Sequence, residues 1–358
     1  MVVEKLNLLN FRNYESQEIV FDKGINIIYG KNAQGKTNLV ESLYFASIGK
    51  SFKLAKDKEL INFEKDSAKI KLTVKKEIGN VDIEVNLFKN NKKQIKVNGG
   101  YLSRIGDLLG NLVTVFFCPN DLKLIKDAPG DRRKFLDVSI SQLSRKYFYL
   151  LLKYQEVLEQ RNNLLKNKNN LELITSQIDV WDRYLAKLAK DIIIQRVRYV
   201  EILSVYADKV HKYLTKNQEE LKITYQGIVD DENVLEEKIL EKLKLNFEKD
   251  LQAGCTQVGP HRDDLKLVLN DTDVKLYGSQ GQQRTVALSL KLAEKEILKE
   301  KLGEYPITIL DDVFSELDDD RKDRLLKMLS KGQTFITTTE KVSIGNLIEI
   351  GKGKIINS

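Results

Sequence analysis

Apolar residues alternate with polar ones over residues 2–9, and the pattern resumes toward the run Ile25-Asn26-Ile27-Ile28-Tyr29, so strands are expected over 2–9 and 17–29. A glycine-bearing loop follows. From Thr37 to Ser47 the spacing changes to three and four, with Leu39, Val40, Leu43 and Ala46 on one face and Gly49 as a stop, which predicts an amphipathic helix. Period two returns between Ala68 and Val97 through Ile70, Leu72, Val74, Val81, Ile83, Val85, Leu87, Ile95 and Val97. Polar breaks at Gly79-Asn80 and Asn90-Asn91 make that stretch an antiparallel meander.

From about Arg132 to Leu251 the helical period takes over, as in Leu143, Tyr147, Leu150, Tyr154 and Leu158, and later Trp181, Leu185, Leu188 and Ile192. The Asn/Lys-rich break at 167–170 predicts two antiparallel helices joined by a loop. Because Tyr147, Tyr154 and Trp181 share their stripe with leucines, they read as core and not as a base-stacking surface. Beyond Leu251, Pro260 and Gly278 mark loops, a helix is expected from about Gln282 to Lys301, and Ile307 to Leu310 reads as a buried strand. The predicted organisation is an α/β domain with a mixed sheet and an antiparallel meander, formed by residues 1–130 and 252–358. A mainly helical domain, 131–251, interrupts it.

The chain has 358 residues, 42% hydrophobic and 31% charged, with four prolines, which suits a folded, helix-rich protein of two domains. Cys118 and Cys255 cannot supply a disulfide framework, and with His211 and His261 they offer no metal-ligand spacing. Charges interrupt the apolar positions of MVVEKLNLLNFRN, and no stretch approaches 18 uncharged apolar residues. A cytoplasmic protein with no membrane span is therefore expected, and one that binds DNA would associate with the nucleoid.

The net charge is +7, but it is local: residues 50–100 carry 13 basic and 7 acidic side chains, and residues 131–200 carry 14 and 8. Localised positive charge points to a polyanionic partner. DNA phosphates are the expected ligands of Lys50, Lys53, Lys56, Arg132, Arg133 and Lys134.

Candidate chemistry lies first in Gly30-Lys31-Asn32-Ala33-Gln34-Gly35-Lys36-Thr37, followed by Asn38. It fits G-x-x-x-x-G-K-[ST], a loop whose backbone amides surround phosphate oxygens. Gly30 and Gly35 permit turns a side chain would obstruct, Lys36 can reach the β and γ phosphates, and the Thr37 hydroxyl can bind magnesium. The helix that starts there aims its positive dipole end at the same anion.

A second signal is the strand ending in Asp311-Asp312, where Asp311 would hold magnesium through water and Asp312, next to the γ-phosphate, would orient the attacking water. The third is Gly278-Ser279-Gln280-Gly281-Gln282-Gln283 at a helix start. It occupies the place of an ABC-type signature motif, whose Ser279, Gly281 and Gln282 would meet the γ-phosphate bound by another copy. Ser315-Glu316-Leu317-Asp318 then takes the place of the D-loop.

With these motifs in order, the chain resembles the ABC-type ATPase heads of SMC-like repair proteins, and more closely the RecF family of bacterial recombination mediators. Further stretches carry the resemblance: Leu9-Asn10-Phe11-Arg12-Asn13-Tyr14, Gly130 to Asp137, Gln160-Arg161-Asn162 and Val258 to Asp264. The resemblance implies ATP and Mg2+ as cofactors, a weak, DNA-stimulated ATPase acting as a switch, and an ATP-dependent homodimer on duplex or gapped DNA with single-strand/duplex junctions. It also implies work with RecR and RecO in loading RecA, and a phosphate contact for Arg12.

Lys36 and Asp311 are 275 residues apart. That is farther than in a transporter ATPase and far closer than in an SMC protein with long coils. An SMC-like DNA-bridging ATPase is the alternative reading, and a small-molecule P-loop kinase conflicts with the signature motif. The chain departs from the transporter pattern in having Gln280 inside the signature and Thr337-Thr338-Thr339 where a switch histidine would fall. Phe117 to Asp121 is the candidate Q-loop.

Overall fold

The computed structural model describes residues 1–53, 55–167, 171–313, 319–342 and 344–357. The chain forms two compact units, the first of Met1–Asp121, Val210–Asn217 and Ala287–Ser358, the second of Leu122–Lys209 and Gln218–Val286.

In chain order the elements begin β1 (Val2–Phe11), β2 (Tyr14–Val20), β3 (Ile25–Tyr29), α1 (Lys36–Ile48), β4 (Ser67–Lys76), β5 (Gly79–Phe88), β6 (Gln94–Val97), β7 (Gly100–Tyr101) and β8 (Thr114–Phe117). They continue α2 (Lys123–Lys126), α3 (Pro129–Leu143), α4 (Arg145–Lys166), α5 (Leu171–Thr215), β9 (Leu221–Gln226), α6 (Leu235–Leu245), α7 (Phe247–Ala253), β10 (Asp264–Leu269), β11 (Thr272–Asp273) and α8 (Val274–Tyr277). The last are α9 (Gln280–Leu302), β12 (Ile307–Asp311), α10 (Asp319–Leu329), β13 (Thr334–Thr338), β14 (Asn346–Gly351) and β15 (Lys354–Asn357).

The first unit holds two six-stranded sheets. One has the order β2-β1-β4-β5-β6-β7, antiparallel throughout, and contains the expected meander. The other has the order β15-β14-β3-β13-β12-β8, parallel except for its β14-β15 hairpin. Apart from Asp311, strands β3, β13, β12 and β8 carry no charged residue, because both faces are covered: every residue of β8 and β12 is buried.

The single strand expected over 17–29 is two strands in different sheets. Asn26 causes the break: its amide donates to Asp22 O at 2.8 Å and Gly24 O at 3.3 Å, while Asp22 N donates to its Oδ1 at 3.0 Å. The bonds close a side-chain-stapled turn at the point where the chain changes sheets.

The second unit holds α3, α4, most of α5, α6 and α7 with a three-stranded sheet, β11-β10-β9, against which α3 and α8 pack. The helical stretch expected to run to Leu251 is interrupted by β9, where Leu221 and Ile223 are buried and Lys222 and Thr224 exposed. Six residues of alternation become a strand because β10 pairs with all of them, from Asp264↔Gln226 to Leu269↔Leu221. This pairing draws residues beyond 251 into the second unit, which therefore extends past the expected 131–251. The loop expected between α4 and α5 includes residues 168–170, outside the described residues.

Charged and polar side chains bind the second unit internally. Fully buried Arg161 on α4 donates to Asp182 Oδ1 at 2.6 Å on α5, to Asp250 Oδ2 at 2.7 Å on α7 and to Thr256 Oγ1 at 2.8 Å. Tyr147 and Tyr154 are buried in this core, while Trp181 is half-buried. The Tyr154 hydroxyl lies 2.6 Å from His261 Nδ1, and burial lowers the His261 pKa to about 4, keeping the imidazole neutral. No helix among the described residues is long and apolar enough to cross a membrane.

Candidate nucleotide site

The loop between β3 and α1 is held open by contacts that only glycine accommodates. Gly30 has φ 148°, and a Cβ there would lie 2.3 Å from Ile350 O on β14; Gly35 has φ 116°, and a Cβ would lie 2.6 Å from Asn13 Nδ2. The loop's carbonyls are taken from outside. Tyr14 Oη donates to Gly35 O at 3.0 Å, and Asn13 Nδ2 and Gly353 N both donate to Gln34 O at 3.0 Å. At the start of α1 no side chain caps the first turn and no acid lies within it. Those uncapped amides form a positive dipole end suited to an anion.

The hairpin β14-β15 thus forms part of the loop's support. Gly353 has φ 72°, and a Cβ there would come 2.1 Å from Asn13 O. Gly353→Ala is expected to lower ATP affinity about tenfold by shifting Asn13 and Gln34, leaving the fold intact. Titration with a fluorescent ATP analogue, with circular dichroism as the folding control, checks this.

A cavity of about 370 Å³ lies over the loop, its wall including Lys36, Thr37, Asn38, Lys53, Asp312 and Thr337. Lys36 Nζ donates to Gly30 O at 2.7 Å and Lys31 O at 2.9 Å. Burial lowers its pKa, opposed by the charges of Asp312 and Asp311. Asp311 ends β12, 7% exposed, and its Oδ1 accepts from Thr37 Oγ1 at 3.0 Å and Thr337 Oγ1 at 2.7 Å. Burial raises its pKa, and the two hydroxyls and Lys53 oppose the rise.

Sheet register makes this meeting possible: Asp311 pairs with Thr337, which pairs in turn with Ile28 near the end of β3. Asp312 adopts a left-handed φ of 56°, with its N–H on Thr337 Oγ1 at 3.0 Å. The chain thereby turns sharply after the strand, and consecutive carboxylates take up different positions.

Ser279 stands immediately before α9, with Gly281 and Gln282 in its first turn, all within the second unit. Gln283 is buried and donates to Val274 O at 3.1 Å, fastening α8 to α9. The expected D-loop, 315–318, lies outside the described residues. In the candidate Q-loop, Cys118 N donates to Asp121 Oδ2 at 2.7 Å, and burial pushes the Cys118 thiol up to about 12, unsuited to redox chemistry.

Residues 2–349 match the family described as RecF/RecN/SMC N terminal domain. The chain is 48% identical over 352 residues to the DNA replication and repair protein RecF of Alkaliphilus oremlandii, spanning 97% of this chain and 96% of that protein. The chain belongs to the RecF family.

The RecF of Clostridium novyi is 42% identical over 349 residues, spanning 98% of this chain and 96% of that protein. A solved structure of the recombination mediator protein RecF-ATPrS in the RecFOR pathway aligns with a TM-score of 0.94 at 39% identity, covering 99% of this chain and 97% of that one. An Smc head bound to the C-winged helix domain of ScpA aligns with a TM-score of 0.62 at 16% identity over 99% and 97% of the two chains, a likeness of fold alone. The fold is that of an ABC-type ATPase head, with mixed α/β sheets.

Around the RecF-family loop, the structure redistributes several basic residues. Arg12 forms a two-pronged pair with Glu41, Nε to Oε2 at 3.0 Å and Nη2 to Oε1 at 2.8 Å, and donates to Glu59 O at 2.9 Å. It does not line the cavity. Lys53, expected on a DNA face, lines the cavity, with Nζ 3.0 Å from Asn38 Oδ1 and 3.4 Å from Glu41 Oε2.

Glu41 is therefore the residue that sequence reasoning missed. It is a fully buried carboxylate on α1, compensated by Arg12, Lys53 and the Ser51 hydroxyl. Its only sequence signal is an acid inside the apolar face of the helix.

Arg132 is a correction to the expected DNA-binding set. It is 3% exposed and donates to both carboxylate oxygens of Asp264, at 2.5 and 2.9 Å, and to the carbonyls of Leu124 and Asp127. It lies on the face of α3 that packs against β10, so its charge is spent inside the protein. Arg133 is half-buried with Nη1 on Asp263 O at 2.8 Å, whereas Lys50, Lys56 and Lys134 are exposed.

Proposed function

We propose that this RecF-family chain is an ATP-dependent DNA-binding protein of recombinational repair and replication. The observation carrying this reading is the 3.0 Å bond between Thr37, at the end of the phosphate loop, and Asp311, at the end of β12. It ties the loop to a strand-end carboxylate beside the cavity whose wall holds Thr37 and the next residue, Asp312, as nucleoside triphosphate chemistry requires. Relatives described as RecF-ATP and RecF-ATPrS support ATP as the ligand.

The donors also fit Mg2+. Thr37 and Asp311 offer hard oxygen donors that already meet at 3.0 Å, the Thr37 hydroxyl as a ligand and the Asp311 carboxylate acting through water. These two residues would hold Mg2+, which when bound neutralises charge on the phosphate oxygens. Residues 30–38 bind the triphosphate, Lys36 contacts its β and γ groups, and Asp312 orients the attacking water. Ser279, Gly281 and Gln282 of a second copy close over the γ-phosphate, so ATP stabilises a homodimer by binding it better than it binds the monomer. Hydrolysis is weak and DNA-stimulated, and it releases the dimer.

The DNA ligand is duplex with a gap or single-strand junction, bound through exposed lysines that contact phosphates. The RecFOR pathway named for a solved relative supports RecR and RecO as partners; the protein loaded is RecA. Light scattering with ATP and with ADP tests the dimer step. A doubled mass with ATP and a monomer with ADP is expected; equal mass in both would sink it.

A further inference from the structure

The start of α9 carries a reciprocal cap. Ser279 N donates to Gln282 Oε1 at 2.9 Å, and Gln282 N donates to Ser279 Oγ at 3.2 Å. This is a capping box with glutamine as its fourth member. The other end of the Gln282 amide is fixed from outside the helix, where Nε2 donates to Glu219 Oε1 at 2.8 Å.

Glu219 is itself well supported. The next residue, Glu220, exchanges two bonds with Asn270: its N–H reaches Asn270 Oδ1 at 2.8 Å, and its carbonyl accepts from Asn270 N at 3.0 Å. Leu221 N then donates to Asp208 Oδ1 at 3.1 Å. A half-buried carboxylate is thus held beside the first turn of α9 by a neighbouring strand.

The chemistry of the three groups leaves one arrangement. A carboxylate only accepts, so the Gln282 amide must turn its NH2 to Glu219 and its carbonyl to Ser279 N–H. The Ser279 hydroxyl, already accepting from Gln282 N, keeps its own hydrogen to donate elsewhere. The N–H groups of Gln280 and Gly281, in the first turn, have no acceptor within the helix. Together they form a set of donors directed by the cap.

We infer that Glu219 is a positioning residue of the signature motif. It sets the Gln282 amide, and through it the donor hydroxyl of Ser279, without touching nucleotide. This rests on the proposed closure of Ser279, Gly281 and Gln282 over the γ-phosphate of a second copy. A residue acting there affects the partner's ATP and not its own.

The test is hydrolysis by mixed variants in the presence of duplex DNA. Glu219→Ala is expected to lower turnover about tenfold, the effect of losing a hydrogen bond to a charged group, with monomer ATP affinity unchanged. Glu219→Gln, which keeps an acceptor oxygen, should retain most of the turnover. Mixing Glu219→Ala with Lys36→Met pairs an intact loop in one copy with an intact signature in the other. Turnover should rise clearly above that of either variant alone, which a misfolded chain or a defect in its own ATP site would not allow.

Ser279→Ala mixed with Lys36→Met is the control. If the control pair recovers and the Glu219→Ala pair does not, or if Glu219→Ala turns over as fast as the unaltered protein, the positioning role is overturned. If the control pair also fails to recover, the two-copy site itself is overturned, and the role of Glu219 with it.

Discussion

Lys36→Met is expected to weaken ATP binding at least about a hundredfold, since it removes two or more charge-assisted contacts to phosphate. The ammonium is already poised within the loop, on Gly30 O and Lys31 O. Burial lowers its pKa, and phosphate oxygens are expected to take the place of those two carbonyls. Methionine keeps most of the apolar stem, and the loop's shape depends on Asn13, Tyr14 and Gly353, which the substitution leaves in place. The nucleotide-free variant should therefore melt near the unaltered protein, while the rise in melting temperature with added ATP disappears. Calorimetric titration with ATP measures the affinity, and an unchanged value would refute the phosphate role of Lys36.

Arg161→Ala is expected to cost the second unit about 3 to 5 kcal/mol, the range for stranding a buried charge by removing its partner. Arg161 and Asp250 are fully buried and Asp182 is 2% exposed, so the substitution leaves two carboxylates facing each other without a cation. Burial already raises the Asp182 pKa, and Arg161 is what opposes the rise. Without it, the folded-state pKa climbs further above the unfolded value, and the folded form binds a proton the unfolded form releases. Stability of the variant should accordingly improve as the pH falls from 8 to 5. Amide exchange in α4 and α7 at the two pH values checks both parts; equal protection in variant and unaltered protein would contradict the first.

The phosphate loop and the strand ending in Asp311 were legible in the sequence because phosphate chemistry demands particular residue types in a contiguous run. Backbone amides, two glycines, a lysine and a hydroxyl must follow one another, and no distant contact is needed to recognise them. Other features depend on partners remote in sequence. β9 looks like part of a helical stretch until β10 supplies its ladder. The break before β3 depends on the Asn26 side chain closing a turn.

Charge was the least legible property. Arg132 and Lys134 are near neighbours on α3, yet the packing of one helix face buries the first beside Asp264 and leaves the second in water. Glu41 reads as a flaw in an apolar stripe until Arg12 and Lys53 reach it from other elements. Composition located the excess of positive charge, but only packing reveals which of those charges are already neutralised.

The loop's support also sets an order on its making. β3 lies between β13 and β14, and Gln34 is tied to Lys352, 318 residues further along the chain. At a synthesis rate of about 5 to 20 residues per second, roughly 15 to 60 s separate the phosphate loop from its last anchor. The second unit emerges in between, complete in its own contacts while the central strand of the parallel sheet still lacks both neighbours. The nucleotide pocket is therefore among the last parts of the molecule to be finished, and a nascent chain is not equipped to hold ATP until the rest of it has been made.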